Sequence, residues 1–181
     1  MTIRSIDSVA LNLPFEIYGP RPQFAGKDRF MEILLVRVET DSGLVGWGEA
    51  FGFGIWPATR APLHAMVAPL ALGRDERDIA GLMNDLNKKL HIVGRTGATV
   101  YALAGLDIAQ PSVTKIGGIS PMMEIVALAR QHKVMLTPQC PYFGPNPLGD
   151  AIEVRNGYIN VPQGPGLGRD PDPAVLAQYS V

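Results

Sequence analysis

The run from Phe30 to Thr40 (FMEILLVRVET) does most to limit how this chain can fold. It is rich in Ile, Leu and Val, residues that fit a pleated surface, and it is the strongest strand candidate in the chain. Asp41-Ser42-Gly43 supplies turn residues directly after it, and Leu44 to Ala50 (LVGWGEA) follows. The two runs are therefore expected to pair as a hairpin. Ile3 to Leu13, partly alternating and closed by Pro14, adds a third strand. The segments between are predicted as loops: Phe15 to Arg29, with Gly19-Pro20, Pro22 and Gly26, and Phe51 to Pro57 after the hairpin. Both are unusually aromatic for connections.

Helical patterns come next. Thr59 is the candidate cap of a helix running to about Leu72, with Gly73 in the C-terminal cap role. Ile79, Leu82, Met83, Leu86 and Leu90 recur at helical spacing, with Asp78 where an N-cap belongs and Gly94 just past the end. Gly97 to Ala109 is predicted as a third helix, small, apolar and largely buried. Residues 1–109 thus form one α+β domain, a three-stranded antiparallel sheet followed by helices.

From Gln110 the pattern changes. Val113 to Ile116 and Val134 to Thr137 are short strands, and Ser120-Pro121 opens a helix between them that runs to about Lys133. Strand, helix and strand in this space make a βαβ unit, the building block of parallel sheets and (β/α) barrels. The domain reading is therefore 110–148 for this unit and 149–181 for a terminal segment. In that segment Ala151 to Arg155 and Tyr158 to Val161 flank Asn156-Gly157, a strong hairpin signal. Pro162 to Pro173 is a Pro/Gly-rich tail.

Composition removes several function classes. Sixteen basic against seventeen acidic side chains in 181 residues give a net charge of −1, which excludes the footprint of a nucleic-acid binder. No stretch approaches the ~20 apolar residues of a membrane span. The N-terminus lacks the apolar core of a signal peptide, and the one cysteine, Cys140, suits a reducing cytoplasm. Gly46-x-Gly48, Gly52-x-Gly54 and the Gly164-Gly166-Gly168 series lack the strand-to-helix setting of a dinucleotide loop and are expected to be turns. His64, His91 and His132 are isolated, without zinc spacing. Cys140 reads as a buried or half-buried thiol, and Glu49 and Asp107 as structural carboxylates. Single residues point to no function.

Three segments taken together do. Ile33 to Ala50 (ILLVRVETDSGLVGWGEA), Gln110 to Cys140 (QPSVTKIGGISPMMEIVALARQHKVMLTPQC) and Asn156 to Pro173 (NGYINVPQGPGLGRDPDP) resemble, in order, the enolase superfamily and specifically its mandelate racemase/muconate lactonizing enzyme group. The resemblance implies an N-terminal capping domain, a (β/α) barrel and a C-terminal segment returning to the capping domain. It also implies that most of the barrel is missing. Ala109 is followed at once by a segment resembling the barrel's end, and a second gap falls near Leu148-Gly149. A whole barrel takes about 250 residues, ~200 at the least. Residues 110–148 are then a barrel remnant.

The chemistry implied by the resemblance is abstraction of a proton α to a carboxylate, with magnesium stabilising the enediolate. Three acidic ligands on middle barrel strands hold the metal, and a lysine on the second strand is a base. None has a counterpart here, so no catalytic residue, no metal ligand and no bound magnesium is expected. Ser112 stands where the group places Asp or Lys, and Gln139 where it places a catalytic His. Neither side chain titrates near neutral pH, so neither can act as the base. The resemblance assigns substrate specificity to the two aromatic loops, here carrying Tyr18, Phe24, Phe51, Phe53 and Trp56, and implies a small carboxylate or sugar acid as ligand. Three readings stand: a catalytically silent, shortened member; a binding or assembly module whose aromatics are covered in a homo-oligomer or by a full-length relative; and an incomplete record of an active racemase or dehydratase. The aromatics could equally fold inward as core.

Overall fold

The computed structural model describes residues 1–15, 23–93, 97–106, 154–155, 158–159 and 170–181. Tyr18, Asp107, Ser112, His132, Gln139, Cys140 and the βαβ unit of 110–148 lie outside these residues. The central element is an antiparallel sheet in which β4 (Phe30–Thr40) lies between β1 (Ile3–Pro14) and β5 (Val45–Ala50). Its register pairs Ala10 with Leu34 and Leu34 with Ala50, Leu11 with Ile33, and Arg37 with Trp47. Both predicted hairpin strands form, and β4 has the predicted bounds. Its four central residues, Ile33 to Val36, are all buried because both faces of the sheet are covered.

One face carries Ile6, Ala10, Leu34, Val36 and Ala50 against the helices. These are α1 (Trp56–Pro62), a π-helical turn (Leu63–Val67), α2 (Ala68–Ala71), α3 (Ile79–Lys89) and α4 (Ala98–Leu106). The opposite face carries Leu11, Leu13, Ile33, Leu35 and Trp47, packed against Val175, Leu176 and Tyr179 of the C-terminal helix α5 (Pro173–Tyr179). Full burial of each such aliphatic side chain contributes about 1.5–3 kcal/mol. The two faces therefore supply two hydrophobic clusters sharing one sheet.

Local chemistry explains where the elements begin. Asp78 caps α3 as predicted, its carboxylate accepting from the Gly81 N–H at 3.0 Å. Leu82, Met83, Leu86 and Leu90 of the predicted stripe are buried, whereas Ile79 in the first turn is exposed. Thr59 is not a cap. The helix starts at Trp56, because Pro57 has the fixed φ suited to a first turn. Thr59 is fully buried inside the helix and its hydroxyl donates to the Phe51 carbonyl at 2.8 Å. Pro62 has no N–H to offer the carbonyl four residues back, and the ladder continues as the π-helical turn. The α4 helix sits so close to the sheet that a Cβ on Gly105 would lie 2.7 Å from Val36 Cγ2 and 2.9 Å from Ala50 Cβ.

Three further differences from expectation concern connections. The segment predicted as a loop before β4 contains a small hairpin, β2 (Gln23–Phe24) with β3 (Lys27–Asp28). Its turn places Ala25 at φ 51 and Gly26 at φ 75, the signs a twisted two-residue hairpin turn requires. Beyond the Pro/Gly-rich tail, of which residues 162–169 lie outside the described residues, the chain forms the unanticipated α5, capped by Asp172 on the Ala174 N–H and followed by a bridge from Ser180 to Leu11 of β1. His64 is not isolated. Its Nε2 lies 2.7 Å from Ser8 Oγ, fastening the helical layer to β1. β6 (Val154–Arg155) and β7 (Tyr158–Ile159) pair antiparallel on either side of the Asn156-Gly157 dipeptide. Among the described residues no helix is long and apolar enough to cross a membrane.

Candidate functional site

The two aromatic loops leave the same end of the sheet, one through the β2–β3 hairpin into β4 and the other out of β5. Pairing of Leu34 with Ala50 makes this proximity unavoidable, since the residues before the one and after the other run side by side. Gly52 lies against β4 so tightly that a Cβ would sit 2.8 Å from the Glu32 carbonyl oxygen and 2.9 Å from the Leu34 nitrogen. Gly54, at φ +73, then turns the chain so that its N–H donates to the Glu32 carboxylate. That backbone conformation is one L side chains rarely adopt, which accounts for glycine there.

Arg29 occupies the space between the loops. Its guanidinium carbon is 4.2 Å from the centroid of the Phe53 ring and 5.8 Å from that of Phe24. Both distances fall within the range of a cation–π contact. Phe15 meets Phe53 edge-on, with centroids 6.4 Å apart and ring planes at 86°. Arg29 and Phe24 border an open cleft of about 500 Å³, lined also by Lys27, Asp28, Phe30, Glu32 and Gly54. Two cations, two carboxylates and aromatic surface suit the binding of a small polar ligand with charge-assisted hydrogen bonds. No histidine or cysteine is among these lining residues.

The four described aromatics of the set assigned to substrate specificity, Phe24, Phe51, Phe53 and Trp56, part company. Phe24 is 73% exposed at the rim of the cleft, and Phe53 is brought to it through Arg29. Phe51 packs on Tyr101 of α4, centroids 4.8 Å apart, and Trp56 packs against the main core. Outward and inward readings thus each describe part of the set. Sequence reasoning did not single out Arg29 or Glu32. Their signal was a pair of charges, Arg29 and Glu32, flanking an aromatic strand start, which has no local periodicity to mark it. Among the described residues no three His, Cys, Asp or Glu side chains converge to hold a metal ion. The described residues therefore do not fit a magnesium cage.

A three-stranded antiparallel sheet with four helices on one face, the C-terminal helix on the other and two loops gathered at one end is consistent with an enolase-type capping domain. Two family descriptions match the chain: the mandelate racemase/muconate lactonizing enzyme N-terminal domain over residues 26–112, and the enolase C-terminal domain-like family over residues 91–152. The chain belongs to the mandelate racemase/muconate lactonizing enzyme group of the enolase superfamily. It is similar to the arabinonate dehydratase of Saccharolobus solfataricus, 33% identical over 79 residues, 44% of this chain and 21% of that protein. The D-galactonate dehydratase of Ralstonia pickettii is 29% identical over 117 residues, which take in 45% of this chain and 30% of that one. Among solved structures, a member of the enolase superfamily from Agrobacterium tumefaciens is 30% identical with a TM-score of 0.51, over 59% of this chain and 32% of that one. The matched region is less than a third of each relative's own length.

Proposed function

We propose that this chain is an internally shortened member of the group that binds a small carboxylate or sugar acid at its capping loops and does not itself abstract a proton. The observation that carries this reading is the pair Ser112 and Gln139 at the group's base positions. A hydroxyl and an amide have no titration near neutral pH, so neither can remove an α-proton. Two facts support the shortening. Similarity to the C-terminal domain is confined to residues 91–152, against the ~200 or more that a barrel needs. The alignment to the Ralstonia dehydratase runs over more residues than the part of this chain it draws on, so it opens gaps within the chain. Magnesium belongs to the group's chemistry by resemblance and is not assigned to this chain.

The test is deuterium exchange at the α-carbon of arabinonate and galactonate, followed by NMR in D₂O with magnesium and the purified 181-residue chain. The expected outcome is unchanged substrate α-proton signals, with ligand line-broadening that reports binding. Exchange or formation of the dehydrated keto acid at a steady rate overturns the reading and favours an active enzyme.

The exposure of Phe24, with Phe30 and Ile55 also exposed near the same loops, favours assembly as a second reading. In that case a second copy covers the aromatics. Light-scattering mass is then expected at a multiple of 19.5 kDa, and Phe24→Ser is expected to shift it to the monomer. A monomer at all concentrations rules this reading out.

A further inference from the structure

We propose that the cleft takes a zwitterion: an α-amino acid whose carboxylate meets Arg29, whose ammonium meets Glu32 and whose side chain rests on Phe24 and Phe30. This rests on the reading of the cleft as a small-acid site and narrows the class of acid. Two opposite charges adjoin one residue there without meeting each other. Glu32 accepts from the Gly54 N–H through Oε2, and a Cβ on Gly54 would lie 3.9 Å from Arg29 Nη2. Arg29 and Glu32 nonetheless form no ion pair with each other, and among the described residues the Arg29 N–H groups make no hydrogen bond. The guanidinium lies over the Phe53 ring instead, 4.2 Å from its centroid. A ring contact takes up a flat face of the group and leaves the N–H fork in its plane open to a carboxylate. Lys27, the other cation of the lining, is a flexible point charge without that planar match.

The acceptor side points to an ammonium rather than a hydroxyl. Asp28 is already engaged, accepting from the Gln23 amide at 3.1 Å. Glu32 uses one oxygen on Gly54, and among the described residues its Oε1 accepts no hydrogen bond. Asn12 stands directly opposite Glu32 in the β1–β4 register, so the two side chains share a face of the sheet. The Asn12 Oδ1 is buried with no partner among the described residues, which leaves a second uncompensated acceptor beside the carboxylate. A cation offsets the negative potential of such a pair, and a neutral hydroxyl does not. An ammonium also brings three donors where a hydroxyl brings one, and its hydrogen bond to a carboxylate is roughly twice as strong. The remaining surface is apolar: Phe24 is 73% and Phe30 43% exposed. A free amino acid with an aromatic side chain matches cation, carboxylate and rings at once.

The test is titration of the full chain, followed through the Gly54 amide by ¹H–¹⁵N NMR, with probes that share one ring. L-phenylalanine is expected to bind about tenfold more tightly than phenyllactate, which carries a hydroxyl for the ammonium, and than phenethylamine, which lacks the carboxylate. This comparison uses the native chain alone, so it stands even where a variant fails to fold. Glu32→Gln keeps an acceptor for the Gly54 N–H and removes the charge. It is expected to bring phenylalanine down to the level of phenyllactate. Arg29→Lys is expected to weaken phenylalanine and phenyllactate alike and to leave phenethylamine unchanged. D-galactonate separates this proposal from the reading beneath it. Phenyllactate or galactonate binding the native chain as tightly as phenylalanine overturns the zwitterion and leaves the small-acid site standing. A phenylalanine preference that survives Glu32→Gln overturns it as well. A chain that binds none of the carboxylates overturns both.

Discussion

Gly105 shows how much a single missing side chain can accomplish. Its bare Cα lets α4 lie directly on Val36 and Ala50, both fully buried and unable to move aside. Gly105→Ala improves helix propensity by about 0.5–1 kcal/mol but forces a Cβ into an occupied space, a strain of about 1–3 kcal/mol. The expected outcome is net destabilisation, seen as a lower urea midpoint with an unchanged slope. Arg29 illustrates the opposite case, a side chain whose ring partners, Phe24 and Phe53, come from two different loops. The aromatic character of the two loops was visible in the sequence, but nothing in the local pattern singles out the cation between them. Thr59 misleads for a related reason. A threonine before an apolar run has the chemistry of a cap, yet Pro57 starts the helix earlier and leaves the hydroxyl to bond the Phe51 carbonyl.

Elements with strong internal periodicity were legible and weakly patterned ones were not. The β4 strand announces itself through its apolar run, and α3 through its stripe and its Asp78 cap. The β2–β3 hairpin offers only two pairs and an Ala-Gly turn in place of the usual Asn-Gly, so it passes for irregular loop. The α5 helix was missed behind a Pro/Gly-rich stretch, although Asp172 followed by Pro173 is a helix-start signal in its own right. Its cap also makes a clean test. Asp172→Ala removes the acceptor for the Ala174 N–H, held at 2.8 Å, and should cost about 1 kcal/mol. Thermal unfolding is expected to shift downward by about 2–4 °C, with α5 losing exchange protection first.

For the molecule as a whole, three carboxylates held below their ordinary values, Glu39, Asp41 and Asp75, lie around the sheet end opposite the loops. Glu39 is held below its usual value of 4.5, first by the hydrogen bond from Arg37 and further by the charges of Arg4 and Arg37. Asp41 is lowered from 3.8 by its hydrogen bonds with Thr2, and Asp75 from 3.8 by the backbone and side chain of Arg77. Because each is lowered in the folded state, its contribution is fully present above the ordinary value and is lost as pH falls through the lowered one. Circular-dichroism melting is therefore expected to hold steady from pH 7 to 5 and decline below about pH 4, with Glu39→Gln showing a smaller decline. A different property follows from the isolated bridges on β1, Thr2 with Asp75 near its start and Leu11 with Ser180 near its end. The Val181 N–H also donates to Ala10 at 3.1 Å. Among the described residues, these occupy hydrogen-bonding groups along the outer margin of β1 that an incoming strand would need, so growth of the sheet by another chain is obstructed on that side.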